Sequence, residues 1–275
     1  MTSPRARRRL LAAVGLVIFV GVLVAVIVSR PTVPPPPGCT VTLASGGGDP
    51  DNVEAYPMTP EQADNAATIA GVGAKLGMPD HAVTVAIATA LQESGLRNLP
   101  HGDRDSLGLF QQRPSQGWGA AAQLMDPVYA ATAFYQRLRQ QPNWATLEVT
   151  GAAQLVQRSA TPLAYARWEP QARATAAALT GEAEARLSCH DLRLGPPADV
   201  LVTVAKRELG TAALSGRHPP ERARAVAHWL VAHANRLAID RVTLDGETWT
   251  AESGEWNRTG PPDGQLSLHL VGAAS

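Results

Sequence analysis

A single carboxylic acid at the end of an apolar segment is the first candidate for chemistry. Apolar side chains recur at three- and four-residue spacing before Glu93, which predicts a buried helix that begins at Pro79-Asp80 and ends at Gly95. Partial burial and a position near the carboxyl end of a helix both disfavour a charged carboxylate and raise its pKa. Glu93 could therefore deliver a proton near neutral pH. A solvated glutamate at a helix end is the alternative interpretation.

A second short motif follows after a polar loop. Gly108-Leu109-Phe110-Gln111 is a turn sequence that ends in an amide side chain. Amides both donate and accept hydrogen bonds, which suits the hydroxyl groups of sugars. Together with Gln92-Glu93-Ser94, this motif resembles the lytic transglycosylase and goose-type lysozyme-like family, whose pattern is Glu-Ser followed by Gly-Leu-Met-Gln. Phe110 stands where that family usually has Met, and the resemblance covers roughly residues 62–179.

The resemblance implies cleavage of the MurNAc-GlcNAc bonds of peptidoglycan, with Glu93 as the one general acid and base. In that family the 6-hydroxyl of the sugar closes an anhydro ring, which is a lyase outcome. A second carboxylate would instead indicate an inverting hydrolase with an ordered water. Asp103 and Asp105 are the candidates for it, Asp105 above all. Aspartates in a glycine-containing loop more often cap turns, so this interpretation stays open.

Four polar or aromatic residues are expected to bind the glycan beside the acid. Ser94 adjoins Glu93, and Gln111, Gln112 and Trp118 follow the second motif. The resemblance implies that they contact N-acetylated sugars and the peptide stem. An ordered loop held by its own hydrogen bonds is the alternative.

A third family element, an Ala-Tyr-Asn-Ala-Gly turn, is matched only in part. The segment at its place reads Ala164-Tyr165-Ala166-Arg167-Trp168, so Ala-Tyr matches and Asn and Gly do not. Tyr165 and Trp168 are expected to line the saccharide groove, because aromatic faces stack on sugar rings. Core packing between helices is the alternative for both.

An uncharged aliphatic segment lies near the N-terminus. Residues 10–28 are long enough to span most of a bilayer core, and a basic tail, 1–9, precedes them. This predicts a single-pass membrane anchor with a cytoplasmic N-terminus and extracytoplasmic C-terminal domains. A cleaved signal peptide is the alternative, although the run is long and ends without a typical cleavage site. Residues 29–57 read as a Pro/Gly-rich linker.

Charge and cysteine content restrict the functions further. The first thirty residues hold five of the 24 basic residues, so the remainder has 19 basic and 24 acidic residues, a net charge of −5. This balance gives no electrostatic footprint for nucleic acid. Cys39 and Cys189 flank the region with the motifs, and in an exported chain they are expected to form a disulfide. Two independent buried thiols are the alternative, and neither a metal nor a cofactor is expected.

The fold predicted from these patterns is mainly α. A lysozyme-like helical domain, 58–190, is expected after the transmembrane helix, followed by a small α+β module, 196–275, with a hairpin turn at Asp245-Gly246. The module faintly resembles a domain distantly similar to zinc D,D-peptidases. Ser215-Gly216-Arg217-His218 matches only a fragment of the zinc pattern, and the aspartate is missing, so a binding or spacer role is predicted.

Three functions are compatible with the sequence. The first is a membrane-anchored enzyme, a lytic transglycosylase or muramidase, that cleaves peptidoglycan strands. The second is a catalytically inactive lysozyme-fold module that binds glycan in cell-envelope assembly, which the degenerate third motif favours. The third is a structural envelope protein in which the motifs occur by chance.

Overall fold

A three-stranded antiparallel sheet joins segments from both ends of the predicted helical region. In a computed structural model, which describes residues 36–44, 53–196 and 200–272, strands β1 (Gly38–Ala44), β2 (Val53–Met58) and β3 (Ala185–His190) pair in the order β2-β1-β3. In β1, Cys39 and Val41 are buried, and their neighbours Gly38, Thr40 and Thr42 are less so. This alternation gives the strand one face toward the core.

The predicted disulfide is confirmed. Cys39 and Cys189 are bonded, and they lie directly opposite each other in the β1–β3 register with 3.9 Å between their Cα atoms. Both cysteines are buried. The bond closes a loop with a sequence separation of 150 residues, and such a constraint on the unfolded chain favours the folded state.

The first two helices follow their capping signals. Helix α1 (Pro60–Lys75) begins after Thr59, whose hydroxyl accepts from the backbone N–H of Gln62 while the Gln62 side chain accepts from the N–H of Thr59. Helix α2 (Asp80–Ser94) ends at Gly95, which has the left-handed φ of +63° common at helix ends. Every residue of α2 from Ala82 to Leu91 is buried, as its apolar composition predicts.

Four further helices follow along the chain, α3 (Ala121–Leu124), α4 (Pro127–Arg139), α5 (Val149–Gln157) and α6 (Glu169–Thr180). Helices α4, α5 and α6 pack against α2, and the short α3 packs against α4. Three short 3₁₀ turns, Pro114–Gln116, Trp144–Thr146 and Ala166–Trp168, connect them. Helices α5 and α6 both contact α2, so the last turn of α2 is surrounded by residues distant in sequence.

The C-terminal part combines helices with a second antiparallel sheet. Helices α7 (Leu201–Glu208), α8 (Pro220–Ala232) and α9 (Ala234–Leu237) accompany β4 (Gly216–Arg217), β5 (Ile239–Leu244), β6 (Glu247–Thr250), β7 (Trp256–Arg258) and β8 (Gln265–Leu270). The strand order is β4-β8-β5-β6-β7. Asp245 and Gly246 both have positive φ and connect β5 to β6, which confirms the predicted hairpin turn.

The C-terminal part packs directly on the rest of the described chain. Helix α8 contacts α1, α6 and β3, and Trp249 Nε1 donates to the carbonyl of Cys189 (3.0 Å). Trp256 Nε1 donates to the carbonyl of Leu187 (3.1 Å). The two sheets are thus linked by indole hydrogen bonds from one buried and one partly buried tryptophan.

The prediction of a mainly α fold with a lysozyme-like helical domain is wrong. Helices account for 46% and strands for 19% of the described residues, so the fold is mixed α/β with two antiparallel sheets. Short strands carry little local signal, so β1 and β2 could not be recognised from the sequence. The Pro and Gly clusters around them therefore led to the prediction of a linker. These strands gain their stability from pairing with each other and with β3, which lies far along the chain.

The predicted single-pass membrane localisation is also contradicted. No helix among the described residues is both long enough and apolar enough to cross a bilayer. The predicted anchor, 10–28, and the basic tail, 1–9, lie outside the described residues, as do 29–35 and 45–52 of the predicted linker.

Candidate active site

Glu93 lies in the last turn of α2, and its side chain is partly buried. Burial raises the pKa of this carboxyl above its ordinary value, as the sequence predicts. Hydrogen bonds from Tyr165 and Gln157 lower the pKa but do not outweigh the burial. The Glu93 carboxyl therefore stays protonated to a higher pH than the carboxyl of an exposed glutamate does.

Tyr165 holds one oxygen of this carboxyl. Its hydroxyl donates to Glu93 Oε1 at 2.8 Å, and the tyrosine is fully buried. Burial, together with the charge of Glu93, raises the pKa of the phenol, so it stays a neutral donor. The structure thus places Tyr165 against the acid, with the ring in the core and the hydroxyl on the carboxyl.

Ser94 connects the two sequence motifs. Its hydroxyl lies 2.7 Å from the carbonyl oxygen of Leu109 and 3.0 Å from that of Ala90, and it accepts from the N–H of Arg97 (3.3 Å). The side chain is only 5% exposed. The serine therefore fixes the second motif against the end of α2.

The turn with Gln111 has a strained and crowded backbone. Gly108 has a φ of +75°, and a Cβ there would lie 2.4 Å from the carbonyl oxygen of Leu124, so glycine is required. Gln111 itself has a φ of +48°. Its Nε2 donates to the carbonyl of Gly108 (3.2 Å), and its Oε1 lies against Gly102, where a Cβ would be 1.7 Å away. The amide is held in place and is partly exposed.

Gln157 links this turn to the acid, and no sequence motif indicates this role. Its Nε2 donates to the carbonyl of Phe110 (2.9 Å), and its amide also hydrogen-bonds to Glu93. Gln157 is the last residue of α5, a helix whose amphipathic pattern predicts packing and not function. The helix packing around α2 brings it there.

Gln92 forms a second cluster next to Glu93. Its Oε1 accepts from Trp168 Nε1 (2.9 Å) and from Arg167 (3.0 Å), and the Arg167 guanidinium lies 4.9 Å from the Trp168 ring centre. Trp168 is partly buried, so part of its ring is accessible. The sequence singled out Trp168 and missed the roles of Gln92 and Arg167 because hydrogen bonds between distant segments leave no local pattern.

Gln112 and Trp118 are buried and have internal partners. Gln112 Nε2 donates to the carbonyl of Ala130 (3.1 Å). Trp118 stacks with the guanidinium of Arg137, which lies 3.9 Å from the ring centre, and the Trp118 carbonyl accepts from Tyr129. Both residues support the loop that carries Gln111.

Asp105 is bound within its own loop. It accepts from the backbone N–H of Ser115 (2.8 Å), from Arg113 Nε (2.7 Å) and from the Ser115 hydroxyl (3.0 Å). These bonds, with that from the Ser115 backbone foremost, hold the pKa of Asp105 well below its usual range. A carboxylate with so low a pKa is a weak base. Asp103 is exposed and lies beside Arg104.

The histidines of the C-terminal part are engaged in packing. His228 Nδ1 hydrogen-bonds to the carbonyl of Ala178 (2.7 Å), and burial foremost lowers its pKa to about 4. His233 is buried between Asp64 and Glu208. In the described part of the chain, no group of three or more His, Cys, Asp or Glu residues could hold a metal ion.

No protein-family model matches this chain, and no curated protein does.

The arrangement at the end of α2 can perform acid catalysis. One carboxyl has a raised pKa, and one of its oxygens accepts a hydrogen bond from Tyr165. An amide, Gln111, and an indole, Trp168, lie on segments packed against the same helix end. This is the chemistry that glycosidic bond cleavage requires.

Proposed function

We propose that this protein cleaves the glycan strands of peptidoglycan, with Glu93 as general acid and then general base. The observation that carries the proposal is the buried Glu93–Tyr165 pair, because burial raises the pKa of the carboxyl and the phenol orients it. The resemblance of Glu93-Ser94 and Gly108–Gln111 to the lytic transglycosylase motifs supports the choice of substrate.

Glu93 first protonates the oxygen of the leaving sugar. Because Oε1 accepts from Tyr165, we assign the acidic proton to Oε2. The C–O bond breaks with oxocarbenium character in the sugar ring, as in other glycosidases. The resulting carboxylate is stabilised by Tyr165 and Gln157, whose hydrogen bonds lower its pKa.

The second half of the reaction needs a base. Glu93 takes a proton either from the sugar's 6-hydroxyl, which closes an anhydro ring, or from a water molecule. Asp105 is a poor second catalytic carboxylate, because its oxygens are bound by Arg113 and Ser115. We therefore favour a single-carboxylate reaction and the anhydro product.

The test is incubation of the full chain with purified peptidoglycan, with the new chain ends identified by mass spectrometry. The wild type and Glu148→Gln, a control at an exposed glutamate, should both release anhydro-muramyl fragments. Glu93→Gln should release none. Fragments with reducing ends would make the enzyme a hydrolase. Retained glycan binding without cleavage by any of the three proteins would refute the enzyme and favour a binding module.

A further inference from the structure

A cavity of about 490 Å³ lies in the C-terminal part, away from Glu93. Its size is within the range of small-molecule sites, roughly 300–1,000 Å³. It forms where α8 meets β3 and the turn between β5 and β6. Its lining includes Arg186, Ala223, Arg224, Leu244, Asp245, Glu247 and Arg258.

Three arginines from three different elements converge on this cavity. Glu247 bridges two of them, accepting from Arg186 (2.7 Å) and from Arg258 (3.3 Å). Arg224 Nε donates to the carbonyl of Gly181 (2.6 Å), which fixes the plane of its guanidinium. Among the described residues, no group accepts a hydrogen bond from the terminal nitrogens of Arg224.

The lining has an excess of one positive charge. Three arginines face two acids, Asp245 and Glu247. The positive field reaches the buried His228 beside the cavity. Burial has the largest effect in lowering the pKa of His228, and the charges of Arg186 and Arg224 lower it further. A ligand with a single negative charge balances this lining, whereas a doubly charged phosphate would exceed it by one negative charge, next to the two acids.

Acceptors and apolar surface lie beside the cations. One oxygen of Asp245 accepts from the N–H of Gly264 (2.7 Å), which leaves the other for a ligand N–H. Ala223 and Leu244 supply apolar wall. A guanidinium fork matches a carboxylate with two parallel hydrogen bonds.

We propose that this cavity binds the C-terminal carboxylate of a short peptide, with Arg224 holding the carboxylate and Asp245 accepting from a peptide N–H. The site is independent of Glu93 and of glycan cleavage. It gives the C-terminal part a ligand-binding role of its own.

The test is calorimetric titration of the full chain with N-acetyl-alanyl-alanine, with its C-terminal amide, and with inorganic phosphate. The free acid should bind, the amide should bind about tenfold more weakly, and phosphate should bind more weakly than the acid. Equal binding of acid and amide, tighter binding of phosphate, or no binding of the acid would each overturn the proposal.

Variants locate the binding. Arg224→Gln should weaken binding of the acid about tenfold, and Arg224→Lys should restore only part of it, because lysine lacks the fork. Arg241→Gln removes an equal charge from an exposed position on β5 outside the cavity, and its binding should be that of the wild type. Wild-type affinity in Arg224→Gln would overturn the proposal.

A second variant, Arg258→Gln, tests the proposal independently of whether Arg224→Gln folds. Arg224→Gln also loses the bond to Gly181, so Arg258→Gln is measured beside it, since Arg258 is exposed and its loss leaves that bond intact. Without Arg258, Glu247 repels the ligand more strongly, and binding of the acid should weaken severalfold. Unchanged binding in a folded Arg258→Gln protein would contradict the proposal.

Discussion

Tyr165 donates a hydrogen bond to Glu93 across 72 residues of sequence, with 2.8 Å between the phenolic oxygen and Oε1. The bond fixes which carboxyl oxygen is occupied and which is available for proton transfer. The bond also affects the pKa of Glu93, because burial raises this pKa and the hydrogen bond from the phenol partly offsets the rise. The proposed chemistry rests on this pair.

Tyr165→Phe should shift the pH dependence of cleavage. Removal of the phenol removes a bond that lowers the pKa of Glu93, so that pKa rises further. The protonated acid then persists to a higher pH, and the alkaline limb of the kcat/KM profile moves upward in pH. The maximal rate should fall about tenfold, because the carboxyl loses its orientation. An alkaline limb that stays in place, or moves downward, would contradict the assigned role of Tyr165.

Glu93→Gln should make the protein more stable at neutral pH. The folded-state pKa of Glu93 is raised, so ionisation opposes folding once the pH exceeds the unfolded pKa, and fully so above the folded pKa. A neutral amide avoids this cost and still accepts from Tyr165, for a gain of about 0.5–1 kcal/mol. Denaturant unfolding at pH 7 and at pH 4 measures it. This gain in unfolding free energy should be smaller at pH 4. A variant that is less stable than the wild type at pH 7 would contradict a Glu93 carboxylate that is destabilised by burial.

Gly102→Ala should displace the amide of Gln111 while the fold persists. A Cβ at position 102 would lie 1.7 Å from Gln111 Oε1, which belongs to a side chain and not to the backbone, so the amide must shift. If Gln111 binds the glycan, KM should rise about fivefold, the usual effect of one lost hydrogen bond, with kcat little changed. Gly260→Ala is the matched control, since a Cβ there meets no atom within 4 Å. An unchanged KM in Gly102→Ala would show that Gln111 does not contact substrate.

His233 should make stability depend on pH in the alkaline range. It is fully buried, with Nδ1 2.5 Å from Asp64 and Nε2 2.8 Å from Glu208. Burial lowers its pKa, but the two carboxylates outweigh burial and raise the pKa to about 9. The resulting stabilisation is present below the ordinary pKa of about 6.5 and is lost as the pH rises through about 9.

His233→Gln tests this prediction. The variant should lose about 1–3 kcal/mol of unfolding free energy at pH 6, because Asp64 and Glu208 lose one charged partner and keep only Arg236. The difference in unfolding free energy between the wild type and the variant should become smaller toward pH 9.5. His190→Gln, at a partly exposed histidine paired with Asp191, should change stability by less than about 1 kcal/mol. A wild-type stability that is flat between pH 6.5 and 9 would contradict a charged His233.

Local signals in the sequence are sufficient for the elements that carry them. The glycine after α2 and the Asp245-Gly246 turn each act within a few residues, and the structure has both as predicted. The position of Glu93 at the end of a buried helix follows from the same local pattern. The disulfide could be predicted because only two cysteines exist.

Long-range pairings could not be predicted in this way. Strands β1 and β2 are short and lie near Gly and Pro clusters, and their pairing with β3 is set by tertiary structure. The same limit applies to the site. Gln157 and Gln92 reach the end of α2 only because α5 and the Ala166–Trp168 turn pack there, and nothing in their local sequence indicates it. The His233 network likewise joins α1 to the C-terminal helices.

The most direct test of the central claim is the rate at which the full chain releases soluble fragments from purified peptidoglycan, measured for the wild type and for Glu93→Gln side by side. Loss of a positioned general acid should lower the rate by at least about 100-fold, while the variant stays folded and no less stable at pH 7. A folded Glu93→Gln protein that releases fragments at the wild-type rate would contradict the assignment of Glu93 as the acid.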